Sequence, residues 1–288
     1  MIAVDAVLAK VRQLPALSAA AVRIGELARD ERSSAADFER AIRPDPALTA
    51  NVLRIANSAH FAPRCRADSV RHAVSLLGLR RVSEVAVAAA LAPVIPPRLP
   101  GYDIDAAEFW RHCVAVAVLS ERIAGELRLQ RPGGVFTAAL LHDMGKLAIT
   151  TFVADASVEI LGRSRGGVAL ARAERQVLGV DHGEVGAAVA QAWRLPPAVA
   201  AAARWHHAPG ESPPDVDATA IGLVHVADSL AHVLGFGADA GELARSVDPA
   251  VEARLGIRPS VLERVAADSL DEIADLASAF TPARGGNR

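Results

Sequence analysis

The stretch Leu141-His142-Asp143-Met144-Gly145-Lys146 concentrates the chemistry of this 288-residue sequence. An imidazole beside a carboxylate offers nitrogen and oxygen together, a mixture that suits Zn, Fe or Mn; Mg prefers oxygen alone. Neighbouring side chains on a helix point about 100° apart, so the pair converges on one ion only near a helix end or a bulge. By itself a His-Asp pair is better read as a capping carboxylate beside a core histidine. Lys146 moves that balance. It lies four residues after His142, and among 31 Lys+Arg only Lys10 and Lys146 are lysine. An ammonium on a flexible stem is a point charge suited to phosphate.

Further donors are spread along the chain in helical surroundings. His112 precedes the pair by 30 residues, inside an amphipathic segment. His182 opens a helix after Gly179, and His206-His207 close another. Asp228 lies within the apolar run Leu223-Val224-His225-Val226-Ala227-Asp228-Ser229-Leu230. A carboxylate there is costly unless it is paired, metal-bound or exposed. The candidate metal ligands are therefore His112, His142, Asp143, His182, His206, His207 and Asp228, against the alternative of satisfied polar residues in a helical core. His225 and His232 flank Asp228 and read as helix-face neighbours or surface residues. His60 and His72 read as surface or core, and Trp110, Trp193 and Trp205 as core. Asp181 and Glu184 favour a helix dipole, and Asn57 can orient backbone where its helix ends. Arg64, Arg66, Arg80 and Arg81 read as solvated or as facing a partner.

The elements that must position these residues are helices. The chain is 51% hydrophobic but only 4% aromatic, so Ala, Leu and Val must fill the core, and apolar periodicity is helical almost throughout. The periodicity predicts front helices over 16–30, through Phe38 and Ile42, over 47–58, 70–77 and 81–91. Four prolines between Pro93 and Pro100 mark a linker. Helices then follow over about 105–127, 133–152, 168–178, 182–193, 197–207, 217–234 and 258–280. The expected organisation is a helical lobe over 1–98, a helical bundle over 99–281 and a disordered tail over 282–288. No run approaches the roughly 20 apolar residues of a membrane span, and the N-terminus does not read as a signal peptide. Cys65 and Cys113 lack ligand-like spacing, which points to a reducing cytoplasm.

The order His … His-Asp … His … His-His … Asp resembles the HD superfamily of metal-dependent phosphohydrolases. That resemblance implies that His112, His142, Asp143 and Asp228 hold one ion, and that His182, His206 and His207 serve a second ion or a substrate phosphate. Asp181-His182-Gly183-Glu184-Val185-Gly186, Trp193-Arg194-Leu195-Pro196 and His206-His207 are similar to the HDOD (HD-related output domain) family. So are Leu14-Pro15, Asp45-Pro46-Ala47-Leu48, Leu53-Arg54-Ile55-Ala56-Asn57-Ser58 and Leu76-Leu77-Gly78. The resemblance covers about residues 12–235. It implies an all-α fold, with an N-terminal helical lobe packed on an HD-type bundle, and a stand-alone bacterial signalling module. The segment after His207 is Ala208-Pro209-Gly210, whereas HD-GYP cyclic-di-GMP phosphodiesterases carry Glu and a Gly-Tyr-Pro run there.

Two main function classes follow. The first is a cytoplasmic signal-transduction output module, with one or two Fe, Mn or Zn ions, that binds a signalling protein partner. The second is a metal-dependent phosphohydrolase acting on a nucleotide or cyclic dinucleotide, in which Asp143 and Lys146 would be the catalytic residues. A third reading, nucleic-acid binding, rests only on a mildly basic front: residues 1–98 carry 14 Lys+Arg against 9 Asp+Glu. That front lacks interleaved aromatics and a groove-reading motif, and the whole chain has a formal charge of −2.

Overall fold

The computed structural model describes residues 19–27, 30, 32–61, 65–91, 95–129, 134–237 and 246–280, with Val7 and Ala9. Lys10, Leu14-Pro15, Arg64, Pro93 and the expected tail over 282–288 lie outside these residues. The fold is all-α. The front helices are α1 (Ala19–Leu27), α2 (Ala35–Ile42), α3 (Pro46–Ala56), α4 (Val70–Leu77) and α5 (Leu79–Leu91). A short antiparallel pair follows, β1 (Arg98–Leu99) on β2 (Ile104–Asp105). Then come α6 (Ala106–Glu126), α7 (Val135–Leu140), α8 (Gly145–Asp155), α9 (Ser157–Arg165) and α10 (Leu170–Leu178). The rest is α11 (His182–Ala192), α12 (Pro197–Trp205), α13 (Ala218–Val233), α14 (Pro249–Leu255) and α15 (Pro259–Phe280). Among the described residues no helix is long and apolar enough to cross a membrane.

Short polar residues start these helices. Asp45 accepts Leu48 N at 2.9 Å with Pro46 in the first turn, and Ser69 accepts His72 N at 3.1 Å. Asp105 closes a capping box with Glu108, and Asp181 accepts Glu184 N at 2.8 Å. Each bond satisfies a backbone donor that a helix start leaves open. Asn57 orients backbone as its sequence position suggests. Its amide donates to Leu53 O and Ala67 O at 2.8 and 2.9 Å and accepts Ala67 N at 2.7 Å.

Four elements differ from the sequence expectation. The helix expected over 133–152 is broken at 141–144 into α7 and α8. The proline-rich linker contains β1, and α9 and α14 are additional helices. Trp205 is half-buried, whereas Trp110 and Trp193 are core.

The chain divides into two compact units, Met1–Ala16 with Ile95–Ser269 and Leu17–Val94 with Leu270–Arg288. The expected lobes over 1–98 and 99–281 differ from this, because the second half of α15 belongs with the front helices. Asp275 accepts Ala59 N at 2.6 Å, Glu272 pairs with His60, and Ser278 O lies 3.4 Å from Arg54 Nη1. Periodicity identifies a helix but does not say which body its apolar face joins. In the front unit α3 and α1 pack on α5, and α2 packs on α4. In the other, α13 packs on α6, α6 on α7, and α11 on both α12 and α8. Helix α13 buries residues around its whole circumference, so it is a central helix.

Candidate metal centre

Five places in the unit Ile95–Ser269 supply the donors. His112 comes from α6, His142 and Asp143 from the turn between α7 and α8, and His182 from the first residue of α11. His206 and His207 end α12, and Asp228 comes from α13. The turn over 141–144 has tightened, with Met144 N bonding Leu141 O at 3.2 Å and Lys146 N bonding Asp143 O at 3.0 Å. These i to i−3 bonds end one helix and begin the next, which frees His142 and Asp143 from the helical 100° spacing. The tight approach also needs Gly145. A Cβ there would stand 1.8 Å from His182 O and 2.6 Å from Gly186 N. Only glycine lets the start of α8 press against the start of α11.

All seven residues named from the sequence converge, in two groups of donor atoms: His112, His142 and Asp228, and Asp143, His182, His206 and His207. All but His207 are buried. Asp143 reaches both groups. Its Oδ2 lies 3.5 Å from His112 Nε2 and 3.6 Å from His142 Nε2. Its Oδ1 lies 3.4 Å from His182 Nε2 and 3.7 Å from His206 Nε2. Asp228 Oδ1 is 3.3 Å from His112 Nε2.

These spacings are too long for hydrogen bonds of about 2.9 Å. They are close to what one cation imposes: two ligands each about 2.1 Å from an ion stand about 3.0 Å apart in an octahedron and 3.4 Å in a tetrahedron. The buried atoms His112 Nε2, His142 Nε2, His206 Nε2 and Asp143 Oδ1 have no hydrogen-bond partner among the described residues. An orphaned buried polar atom costs about 1–3 kcal/mol, so several together call for a ligand. The donor set therefore fits a metal.

The opposite ring nitrogens fix the tautomers. His142 Nδ1 lies 2.7 Å from Ala139 O, and His206 Nδ1 lies 2.9 Å from Ala203 O. His182 Nδ1 lies 2.6 Å from Glu174 Oε2. Each Nδ1–H donates to an oxygen, which for His142 and His206 leaves the Nε2 lone pair turned inward, as a metal-binding imidazole requires; His182 Nε2 lies 2.8 Å from His207 Nε2, within hydrogen-bond distance. Burial pushes the His142 pKa down and that of His206 down to about 3, so both rings are neutral at pH 7. His182 behaves otherwise: burial pulls it down, but the Glu174 carboxylate holds it above the ordinary value. Burial would raise the Asp143 pKa, yet the Lys146 ammonium and the surrounding imidazoles hold it well below the usual range.

Glu174, Tyr102 and Lys146 buttress this arrangement. Glu174 accepts His182 N at 2.9 Å and Tyr102 Oη–H at 2.7 Å. Lys146 Nζ stands 5.4 Å from the centre of the Tyr102 ring and donates to Asp143 Oδ2 at 2.7 Å. Glu174 is not among the residues expected from the sequence, although the sequence carries a signal for it. Glu174 lies on the buried stripe of α10 with Leu170 and Leu178, four residues from each. Of the two readings of His225 and His232, the surface one is corrected, because both are buried, whereas His232 is a helix-face neighbour of Asp228. His225 is tied to backbone, with Nδ1 2.7 Å from His206 O and Nε2 accepting Asp248 N at 2.9 Å. His232 Nε2 lies 3.6 Å from Asp228 Oδ1. His72 pairs with Asp68 near the surface.

The centre opens through a crevice of about 20 Å³, lined among others by Phe109, His112, Asp143, Lys146, His232 and Phe236.

Known proteins share this helical arrangement. The HDOD domain family model matches residues 14–209. A candidate phosphohydrolase from Shewanella amazonensis has a similar structure, with a TM-score of 0.75 and 24% identity over 96% of this chain and 98% of that one. An HDOD domain protein of unknown function from Geobacter sulfurreducens gives 0.71 and 23%, over 96% and 98%. A candidate signal transduction protein from Marinobacter aquaeolei gives 0.73 and 27%, over 93% of this chain and 60% of that one. An uncharacterized protein of Treponema pallidum is 23% identical over 210 residues, 69% of this chain, which spans 38% of that relative's length. With two thirds of its length matched by the family model, and its helices arranged as in solved members of that fold, this chain belongs to the HDOD family.

Proposed function

We propose that this chain is a bacterial signal-transduction output module that acts by binding a partner protein in the cytoplasm and is stiffened by one or two transition-metal ions. His112, His142 and Asp228, with Asp143 Oδ2, would hold one ion. His182, His206 and His207, with Asp143 Oδ1, would hold the other. Mixed imidazole and carboxylate donors suit Fe, Mn or Zn. Bound there, a metal would cross-link five places of the helical unit and could act as a Lewis acid toward a phosphoryl oxygen.

The observation that carries the output reading is the size of the opening. Small-molecule sites run to about 300–1,000 Å³, whereas the crevice above the donors holds about 20 Å³. That is space on the scale of one water molecule. The segment after His207, a short turn through Pro209–Glu211, supplies no basic residue. The Marinobacter relative, named a candidate signal transduction protein, supports the same reading.

One observation favours a second reading, a phosphohydrolase acting on a nucleotide or cyclic dinucleotide. Lys146 lines the crevice beside Asp143, where its ammonium could turn to a phosphate. In that case Asp143 would be needed to hold both groups of donors together, and Lys146 to bind the phosphate.

The test begins with elemental analysis of protein purified without chelator, in which bound transition metal is expected. The metal-loaded protein is then given cyclic di-GMP, linear dinucleotides and mononucleotides. The expected result is no turnover at an ordinary enzymatic rate, about 1 per second or faster. Turnover at that rate, lost in Asp143→Ala, would replace the output reading with the hydrolase reading.

A further inference from the structure

We infer that His232 is a third imidazole donor of the group formed by His112, His142 and Asp228, placed on the side of that group that meets the crevice. The inference rests on the metal reading above and extends it to a residue beyond the segment that the family model matches.

The first observation is the surroundings of one carboxylate oxygen. Asp228 Oδ1 has His112 Nε2 at 3.3 Å, His232 Nε2 at 3.6 Å and His142 Nε2 at 3.8 Å. The His232 spacing falls between the other two, and like them it is too long for a hydrogen bond. A histidine serving only to orient Asp228 would stand at about 2.9 Å. The second observation is ring placement. The His112 and His232 rings have centroids 4.9 Å apart and planes tilted by 54°, nearly the relation of His112 to His142 at 5.3 Å and 58°. His232 thus stands to His112 much as an already identified donor does.

The third observation is that the seat is built. The His232 side chain is only 4% exposed. Helical geometry puts it one turn from Asp228 on the same face. A Cβ at Gly237 would lie 2.0 Å from both Cε1 and Nδ1 of the imidazole, so the ring occupies the space that a side chain at 237 would fill. His225, on the same helix, is spent on backbone groups, whereas His232 Nε2 is turned to Asp228 and the ring lines the crevice. Three imidazoles with carboxylate oxygens shift preference toward Fe, Co, Ni and Zn and away from the oxygen-seeking Mg and Ca.

The experiment uses the full chain, stripped of metal and titrated with Co(II), with a chromophoric chelator as competitor. Visible absorption of the bound cobalt reports its donors. His232→Gln and Gly237→Ala are compared with the parent protein, and circular dichroism and the thermal midpoint of the metal-free forms report folding. The expected result is that His232→Gln weakens one class of Co(II) site at least about tenfold and changes the cobalt spectrum. Binding to the Asp143, His182, His206 and His207 group should persist. Gly237→Ala, which keeps the imidazole but displaces it, should change the spectrum in the same direction. A merely structural role would lower the metal-free midpoint and leave the cobalt spectrum alone, and that result overturns the inference while the metal reading stands. Absence of Co(II) binding in the parent protein overturns both. If His232→Gln does not fold, Gly237→Ala decides, and an unchanged spectrum in that variant overturns the inference.

Discussion

Chelation should lower the thermal midpoint substantially and leave the helices in place. The donors are anchored on α6, on the turn over 141–144, on α11, at the end of α12 and on α13. A metal held by them binds the folded state and not the dispersed chain, so it adds stability by mass action. At a free metal concentration a thousand times Kd that amounts to about 4 kcal/mol. For a unit the size of Ile95–Ser269, 1 kcal/mol moves the midpoint by about 2–4 °C, so complete removal should cost about 8–16 °C. The stripped core has reason to survive. Asp143 keeps the Lys146 ammonium at 2.7 Å, and His142 and His206, pressed toward neutrality by burial, need no counter-charge. Beside the donors His112 and Asp228, α6 and α13 also bury purely apolar side chains, Val114, Val118, Leu223 and Val226, which need no metal. The assay is a melt followed by circular dichroism at 222 nm, with metal content measured on the same samples. A midpoint within about 2 °C of the loaded protein after verified removal would refute the cross-linking argument. Loss of all helix on chelation would refute the claim that the apolar core stands alone.

Substituting His142→Ala and Asp143→Ala together removes donors from both groups, so elemental analysis should find no bound metal; retained stoichiometric metal would sink the assignment. Glu174→Ala leaves His182 N, His182 Nδ1 and Tyr102 Oη without their common acceptor, and should cost about 3 kcal/mol in denaturant melts. Glu174→Gln keeps the oxygen and should fold, with metal affinity reduced about 10–100-fold; unchanged affinity would count against the buttress. Gly145→Ala drives a methyl into His182 O and Gly186 N, and should cost more than about 2 kcal/mol, where a neutral substitution would show that α8 and α11 are free to separate. Asp181→Asn keeps the helix cap but loses the ion pair with Arg175. Burial pushes the Asp181 pKa up, but His182, the Glu184 N–H and Arg175 hold it below the ordinary value. A depressed carboxylate stabilises above the unfolded pKa and loses that contribution as pH falls through the folded one. Because the Arg175 side chain is 43% exposed, the substitution should cost no more than about 1 kcal/mol at pH 7. That difference should begin to shrink only as pH falls below about 4 and be lost below the lower folded-state pKa, and a penalty that grows on acidification would contradict the sign.

The convergence of the seven candidate residues was legible because polar groups in apolar helices are anomalous whatever the fold. Asp228 among Leu223, Val224, Val226 and Leu230, or His112 beside Cys113 and Val114, must be satisfied somewhere, and the fold brings them together in one place. The break at 141–144 was legible only as a condition, since the His142-Asp143 pair can share an ion only at a helix end or bulge, and not in the apolar pattern. Apolar periodicity runs through Phe136, Leu140, Leu141, Met144 and Ile149 without interruption, and no glycine or proline stands among residues 141–144. The turn is held by i to i−3 bonds that most residues can make, so what selects it is the tertiary approach of α8 to α11. The first local sign of that approach is Gly145, one residue late. The return of α15 to the front unit escaped for a related reason. Its first half and its second half, from Leu270, have the same helical pattern, and the residues that tie it there, Asp275 and Glu272, look like ordinary surface acids until Ala59 N and His60 are set against them. Glu174 and His232 fall between these cases. Each has a spacing of four from a buried or functional residue on its own helix, Glu174 from Leu178 and His232 from Asp228. The sequence thus carried their face but not their burial, and burial is what separates a solvated acid or a surface imidazole from a group that must have a partner.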